Sequence, residues 1–434
     1  MSLPLPVLLV AHQSPPLGGP GVRRMASWMA LWPSHGIEPL LLTAPAEDGA
    51  RFHGYPIVAG TDGALAGRTV VRVATPRLPG LAGALARAFP PRVAWTLAHR
   101  ALREPEVPWS RPAVRAGLAF ARDRGVRVVV STSQPYEAHV VGRAVAKALG
   151  VPWVADFRDP MAEAEGRAWP TRWHAAREAA EERRWFEDAD RVWATCQAAA
   201  NRWRQRFPES AAKVRLHRNG IGALPLDLPS DAGPVPPLRI GHVGRFTDSS
   251  RPSRLRAWEY RPGGDAGAGS SPGPLFAGLA RFLERVPAAR GQVTWVTVGD
   301  AGPLEPPEGV RREHHRPVPH DAALRIAATC HALYLPLTRL PPTGGLFVQQ
   351  KVYEYAALGR PVLVSGAARE TTALLGPLAR FGGQDDPAAI ARELEALWRG
   401  EATRPPTPVP VPSQAEVAAA TAAELHDLAA RASG

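Results

Sequence analysis

Short apolar runs bounded by glycine, proline or charged residues alternate along the chain with stretches whose apolar positions fall three and four apart. Residues 6–11 (PVLLVA), 38–43 (EPLLLT), 128–131, 151–155, 190–195, 238–243, 293–298, 333–337 and 362–364 read as strands buried on both faces. Helical periodicity follows many of them. Val22, Met25, Trp28, Met29 and Trp32 share one face after the first strand, and residues 169–187 form a charged amphipathic helix. Val348, Val352, Tyr355 and Ala356 mark a helix from about 347 to 358, which Gly359 ends and Pro361 forbids from continuing. Strands alternating with helices predict an α/β fold with parallel, doubly wound sheets.

At 434 residues the chain exceeds one ordinary core, so two domains are expected. The proline-rich stretch 223–237 is the linker between an N-terminal Rossmann-like domain, 1–222, and a second one, 238–403. Residues 249–274, rich in Gly, Ser, Pro and Arg, read as a mobile insertion in the second domain. Residues 44–112 are loop-rich, and 404–434 hold a proline-rich connector and a terminal helix over 414–431.

Composition narrows the partners. A net charge of +12 invites a polyanion, but the arginines are scattered and often stand beside acids, as in AAEERRWFEDAD at 179–190. No recognition motif or basic tail accompanies them, so a nucleic acid is not expected. A nucleotide donor, or a bilayer surface carrying an acceptor, is the anionic partner this balance admits. Cys196 and Cys330 stand alone with no ligand at metal spacing, which points to a reducing, cytoplasmic compartment and to no metal site. The run 7–11 has no basic segment before it and reads as a first strand, not a signal peptide, and no stretch is long enough to span a membrane.

Candidate chemistry gathers in TGGLFVQQKVYEYAALGRPVLVS, residues 343–365. A helix opening after Gly344 and Gly345 offers backbone N–H groups and a positive dipole end to a phosphate. Lys351 and Glu354, three apart, share a face. A nucleotide wants that combination, a cation for phosphate and a carboxylate for ribose hydroxyls; a solvated ion pair is the plainer alternative. Earlier, the first strand ends in HQSPPLGGPG, a glycine loop before a helix, where doubly wound sheets bind ligands. Two carboxylates and a guanidinium close the strand at 151–155 in Asp156-Phe-Arg158-Asp159-Pro160, as ligand-binding groups or as an ion pair of Arg158 with Asp156 or Asp159 that shuts the loop. His139, in Ser131-Thr-Ser-Gln-Pro135-Tyr-Glu-Ala-His139, faces either the cleft between the domains or the sheet.

The run Lys351-Val-Tyr-Glu354-Tyr-Ala-Ala-Leu-Gly359-Arg-Pro361 resembles the donor-binding signature of GT-B glycosyltransferases, particularly retaining enzymes of family four. The resemblance implies two Rossmann-like domains facing a cleft, with the terminal helix crossing back onto the first. It gives Glu354 the donor ribose. Leu346 stands where many members carry a further glutamate, and a Lys-x-x-Glu subgroup shares that difference. His242-Val-Gly244-Arg245 resembles the family's strand, glycine and arginine, so Gly244 and Arg245 would hold the donor diphosphate. The family's downstream lysine is missing, leaving Arg251 and Arg254 as substitutes. Gly299 and His320 have counterparts in the nucleotide-base pocket. Gly18, Gly19 and Arg23 match the N-terminal loop facing sugar and acceptor, and the Asp-Phe-Arg-Asp-Pro run puts Arg158 and Asp159 on that side with His139.

What the resemblance implies is sugar transfer from a nucleotide-diphosphate sugar, the co-substrate, to an acceptor hydroxyl on a glycan, lipid-linked or small molecule. Retention of configuration and independence from metal or other cofactor come with it. Arg245, Lys351 and the helix start near Gly345 would stabilise the departing diphosphate, and Asp156 would orient the acceptor. The alternatives are a GT-B-like sugar-nucleotide epimerase or phosphorylase, and a nucleotide-sugar-binding protein without catalysis.

Overall fold

The computed structural model describes residues 3–53, 55–58, 60–76, 84–85, 88–90, 93–94, 96–97, 107–163, 167–229, 232–246, 260, 271–299, 305–337, 345–366, 368–381, 386–401 and 408–432. The chain forms two compact units. One comprises Met1–Gly220, Ser253–Pro262 and Gln414–Gly434, the other Ile221–Pro252 and Gly263–Ser413.

The first unit is built on a parallel sheet of β1 (Leu5–Val10), β2 (Ile37–Thr43), β3 (Thr69–Arg72), β4 (Val128–Thr132), β5 (Trp153–Phe157), β6 (Arg191–Ala194) and β7 (Val214–Leu216). Its order is β3-β2-β1-β4-β5-β6-β7. In register, Val7 lies between Pro39 of β2 and Val128 of β4. The second unit repeats the scheme with β8 (Leu238–Val243), β9 (Val293–Val298), β10 (Val310–His315), β11 (Ala332–Pro336), β12 (Val362–Ser365) and β13 (Ala379–Phe381), ordered β10-β9-β8-β11-β12-β13. In each sheet the chain steps outward from the first strand, then reverses across it. The reversal opens a crevice at the carboxyl ends, between β1 and β4 in one unit and β8 and β11 in the other.

Four strands escape the apolar pattern. β10 reads VRREHH; it lies at a sheet edge, where charged side chains both tolerate water and discourage pairing with other chains. β3 (TVVR), in the stretch read as loop, β7 (VRL) and β13 (ARF) are short edge strands too.

The first core is dominated by aromatic packing. Trp28 of the helix Pro20–Leu31 and Trp32 just past its end stack at 5.2 Å, and Trp193 of β6 meets Trp28 edge-on at 5.5 Å. The terminal helix Gln414–Arg431 belongs to this unit and buries Ala418, Ala422, Leu425 and Leu428 against the same cluster. Polar stitches fix its rotation. Trp32 Nε1 donates to Thr421 Oγ1 (3.0 Å), while Glu424 accepts from Arg191 Nε (2.8 Å), Trp193 Nε1 (2.7 Å) and His217 Nε2 (2.9 Å). No described helix is long and apolar enough to cross a membrane.

Most of the stretch 249–274, with Arg251 and Arg254, lies outside the described residues. Tyr260 departs from the expectation of a mobile insertion. It forms an antiparallel bridge with Trp169 through two backbone hydrogen bonds of 2.8 and 3.1 Å, and Arg172 covers its ring. The cation above its ring and the pairing of its backbone are two reasons for it to stay in place.

Burial raises the Glu424 carboxyl, but hydrogen bonds from His217, Trp193 and Arg191 outweigh it and hold the group below the ordinary 4.5. A carboxylate depressed in the folded state stabilises the fold above its unfolded value, and the benefit fades as pH falls through the folded value. Glu424→Gln is therefore expected to lower stability by about 2 kcal/mol at neutral pH. The gap from wild type should narrow below pH 4.5 in urea denaturation followed by tryptophan fluorescence. A gap that does not change with pH would remove the charge from this account.

Candidate functional site

In the second unit, candidate groups assemble at the carboxyl end of the sheet. After β8 the backbone turns through Gly244, whose φ of 120° is a left-handed value that side chains resist. After β9 it turns through Gly299 (φ 111°), packed so closely that a Cβ there would lie 3.2 Å from Gly244 O. A Cβ on Gly244 would lie 3.0 Å from Lys351 Nζ. Both glycines are thus required for the two loops and the ammonium to share this space. Arg245 follows Gly244 and is exposed.

Lys351 and Glu354 stand on the helix Gln350–Leu358. Glu354 is buried and its Oε1 is 3.9 Å from Nε2 of His320, the first residue of the helix His320–Ala328. Tyr355, on the buried side, accepts a hydrogen bond from Val243 N at 3.0 Å and ties this helix to β8. His242, one residue earlier, accepts from Lys351 Nζ at 3.4 Å.

One expectation is corrected. The helix starts at Gln350, with Gln349 at its N-cap, not at 347 after Gly345. Val348, read as part of the helical face, lies ahead of the helix and is buried all the same, in a non-helical approach to the core. The helix terminus is five residues beyond Gly345 and sits beside Lys351; Gly344 lies outside the described residues.

In the first unit, Gly18 and Gly19 form the loop from β1 into the helix Pro20–Leu31, with Gly19 at the N-cap (φ 125°) and Arg23, partly buried, in the first turn. Gly18 N donates to Pro56 O at 2.8 Å, which fastens this loop to the following segment. Arg158 reaches into it. Its guanidinium bonds to the carbonyls of Ser133 and Gln134 and occupies the space of a Gly21 side chain, where a Cβ would lie 1.2 Å from Nη1. Burial lowers the Arg158 pKa, with Asp159 and Asp156 opposing; burial raises that of Asp159, with Arg158 opposing. Gln134 Nε2 lies 3.4 Å from Asp159 Oδ2.

Asp156 and His139 are interior groups. Asp156 is fully buried and takes a two-pronged ion pair from Arg24, Nη2 to Oδ1 at 2.8 Å and Nε to Oδ2 at 3.2 Å, while Thr132 Oγ1 donates to Oδ2 at 2.7 Å. The partner is Arg24, not Arg158. Arg24 also binds the carbonyls of His217 (2.9 Å) and Arg218 (3.0 Å), so the pair joins the first helix, β5 and the loop after β7. His139 is fully buried, with Nδ1 2.8 Å from Ser131 Oγ and its ring 4.3 Å from Phe157 and 5.5 Å from Trp185. Burial, then Arg158, pulls its pKa to about 3, so it is a neutral core residue and not an acceptor-side group.

Sequence reasoning passed over Arg24 and His242. Arg24 is one of many arginines, distinguished only by facing inward beside Met25 and Trp28. His242 interrupts an apolar strand, and that was its signal. A separate cavity of about 650 Å³, lined by Leu5, His35, Arg127 and His426 among others, opens at the amino ends of the first sheet, away from these groups.

No protein-family model and no curated protein matches the sequence. Solved structures do match the fold. Sucrose-phosphate synthase from Thermosynechococcus elongatus is similar over 98% of this chain and 97% of its own, with a TM-score of 0.59 and 15% identity. An α,α-trehalose 6-phosphate synthase from Burkholderia multivorans is similar over 99% of this chain and 100% of its own, at 0.55 and 14%. A glycosyltransferase from Rickettsia africae is similar over 99% and 94%, at 0.54 and 9%. The two parallel sheets with flanking helices are the two Rossmann-like domains of the GT-B fold.

Removing one partner from a buried ion pair leaves a charge without compensation, at a typical cost of about 3–5 kcal/mol. Asp156→Asn is accordingly expected to lose about 3 kcal/mol of stability in chemical denaturation. The double change Arg24→Met with Asp156→Leu should recover part of it, and equal losses in single and double variants would show that the pair itself is not what holds these elements.

Proposed function

We propose that the chain is a nucleotide-sugar-dependent glycosyltransferase, moving a hexose from a nucleotide-diphosphate sugar to an acceptor hydroxyl with retention at the anomeric carbon. The observation that carries this reading is the convergence, at one sheet edge of the second unit, of the Lys351 ammonium on the bare backbone of Gly244, the Gly299 loop, and the buried Glu354 beside His320. A cation over a glycine turn suits a diphosphate that must approach the backbone closely, and a carboxylate one helical turn along suits a pair of ribose hydroxyls. Fold likeness to sucrose-phosphate and trehalose 6-phosphate synthases supports the same assignment by analogy.

In this reading the bond from the anomeric carbon to the β-phosphate oxygen breaks. The acceptor oxygen takes that carbon, and nucleoside diphosphate and a proton are released. Negative charge grows on the leaving oxygens, so Arg245 and Lys351 act most strongly in the transition state. Glu354 anchors the nucleoside and His320 lies beside it. Gly18, Gly19, Arg23, Arg158 and Asp159 belong to the acceptor side. Asp156 contributes through Arg24, holding the acceptor-side loop in place, and does not itself touch substrate. No metal or other cofactor is part of the proposal.

Thermal-shift measurements with UDP-, GDP-, ADP- and TDP-sugars should reveal one base whose donors raise the melting temperature. Absence of stabilisation by every member would count against the whole reading. With that donor, Glu354→Gln is expected to weaken binding by about 1.5–3 kcal/mol in calorimetry. Arg245→Ala and Lys351→Ala should each lower turnover by about 10²–10³ while changing donor affinity less. If both cations serve the same oxygens, the double variant will lose less than the product of the single losses. Near wild-type turnover in either single variant would remove that residue from the leaving-group role.

A further inference from the structure

The buried histidine of β8 has a place in the site that no motif assigns. His242 is 1% exposed, and its Nδ1 lies 3.0 Å from the Tyr334 carbonyl, a group that only accepts, so Nδ1 carries the proton. A neutral ring with Nδ1 protonated leaves the lone pair on Nε2, and that nitrogen is 3.4 Å from Lys351 Nζ. The ring plane is set on its other side by Phe246, stacked at 4.1 Å with 20° between planes. Tautomer, plane and depth are therefore all specified by groups other than the lysine.

We propose that His242 is a positioning residue for Lys351, its Nε2 accepting from the ammonium and holding it over Gly244 at the place where the donor diphosphate binds. The inference rests on the nucleotide-sugar reading above and deepens it. A lysine side chain has four rotatable bonds; an aimed acceptor beneath it, together with a glycine that leaves the space open, favours one of the positions it can take. Burial, then the Lys351 charge, keeps the His242 pKa well below its usual value, so the ring remains an acceptor and does not become a cation facing a cation. His139 in the first unit marks the difference. It is as deeply buried, but its bonded nitrogen meets Ser131 and its ring is packed among Phe157 and Trp185, so its place is explained by packing.

The contact is testable without turnover. In protein with 15N-labelled histidine, the His242 resonances, assigned by their loss in His242→Phe, should show an Nδ1-protonated ring whose Nε2 signal moves when Lys351 is changed to Met. An Nε2 signal that Lys351→Met leaves in place would overturn the proposal. The role is read from affinity for UDP, GDP and ADP, using whichever stabilises the wild type. His242→Phe keeps the stacked ring but removes the acceptor, and should weaken that affinity about tenfold, the worth of one charge-assisted hydrogen bond. His242→Gln restores an acceptor and should recover most of it, which a purely structural role does not predict. Equal affinity in wild type and His242→Phe, or failure of His242→Gln to recover any, would also overturn it. If no nucleoside diphosphate binds wild type while the Nε2 signal still answers to Lys351, the contact stands but the nucleotide-sugar reading falls, and the positioning role falls with it.

Discussion

Parallel pairing constrains everything else in this protein. A strand that joins a neighbour running the same way must be reached by a connection that recrosses the sheet, so every segment leaving a strand emerges along one edge. Both sheets obey this, and both reverse their strand order next to their first strand. The loops after β1, β4 and β5 therefore meet in the first unit, and those after β8 and β9 meet the helix Gln350–Leu358 in the second. Side chains scattered over more than a hundred residues share an edge because no other arrangement pairs all the strands in parallel.

Crowding at that edge decides which residue types can stand there. Gly299 approaches the Gly244 backbone so nearly that a Cβ on it would lie 3.2 Å from Gly244 O, and the room left over Gly244 is filled by the Lys351 ammonium. In the first unit the same device appears at Gly21, whose missing side chain admits the Arg158 guanidinium. Small residues and large cations are complementary in these places: the glycine supplies the space, and the cation supplies charge next to backbone carbonyls and a helix start.

Buried polar groups divide by what compensates them. Asp156 is matched by Arg24 and Thr132 and spends its charge joining three elements. Glu424 does the same for the terminal helix through Arg191, Trp193 and His217. His242 stays neutral and offers one lone pair to a cation at the sheet edge. Low dielectric makes each pairing strong and each unpaired group costly, which is why such groups either brace the fold or serve a site.

The doubly wound fold was legible in the sequence because central parallel strands are buried on both faces and so are mostly apolar; β1, β11 and β12 announce themselves in this way. Edge strands such as β10 carry no such demand and were invisible. Lys351 and Glu354 could be read as neighbours because helical spacing puts residues three apart on one face, a local property. Where that helix begins was not local: Val348 is satisfied equally by a helical face or by a non-helical segment entering the core, and only the surrounding packing chose the second. Asp156 looked like a ligand-binding group and His139 like a candidate one, since sequence shows a charge at a strand end but not its partner. Arg24 lies 132 residues from Asp156, and Lys351 lies 109 from His242. Spacing and periodicity specify what a short segment can do by itself; which buried group is compensated, and by which distant side chain, is settled only when the sheets bring their ends together.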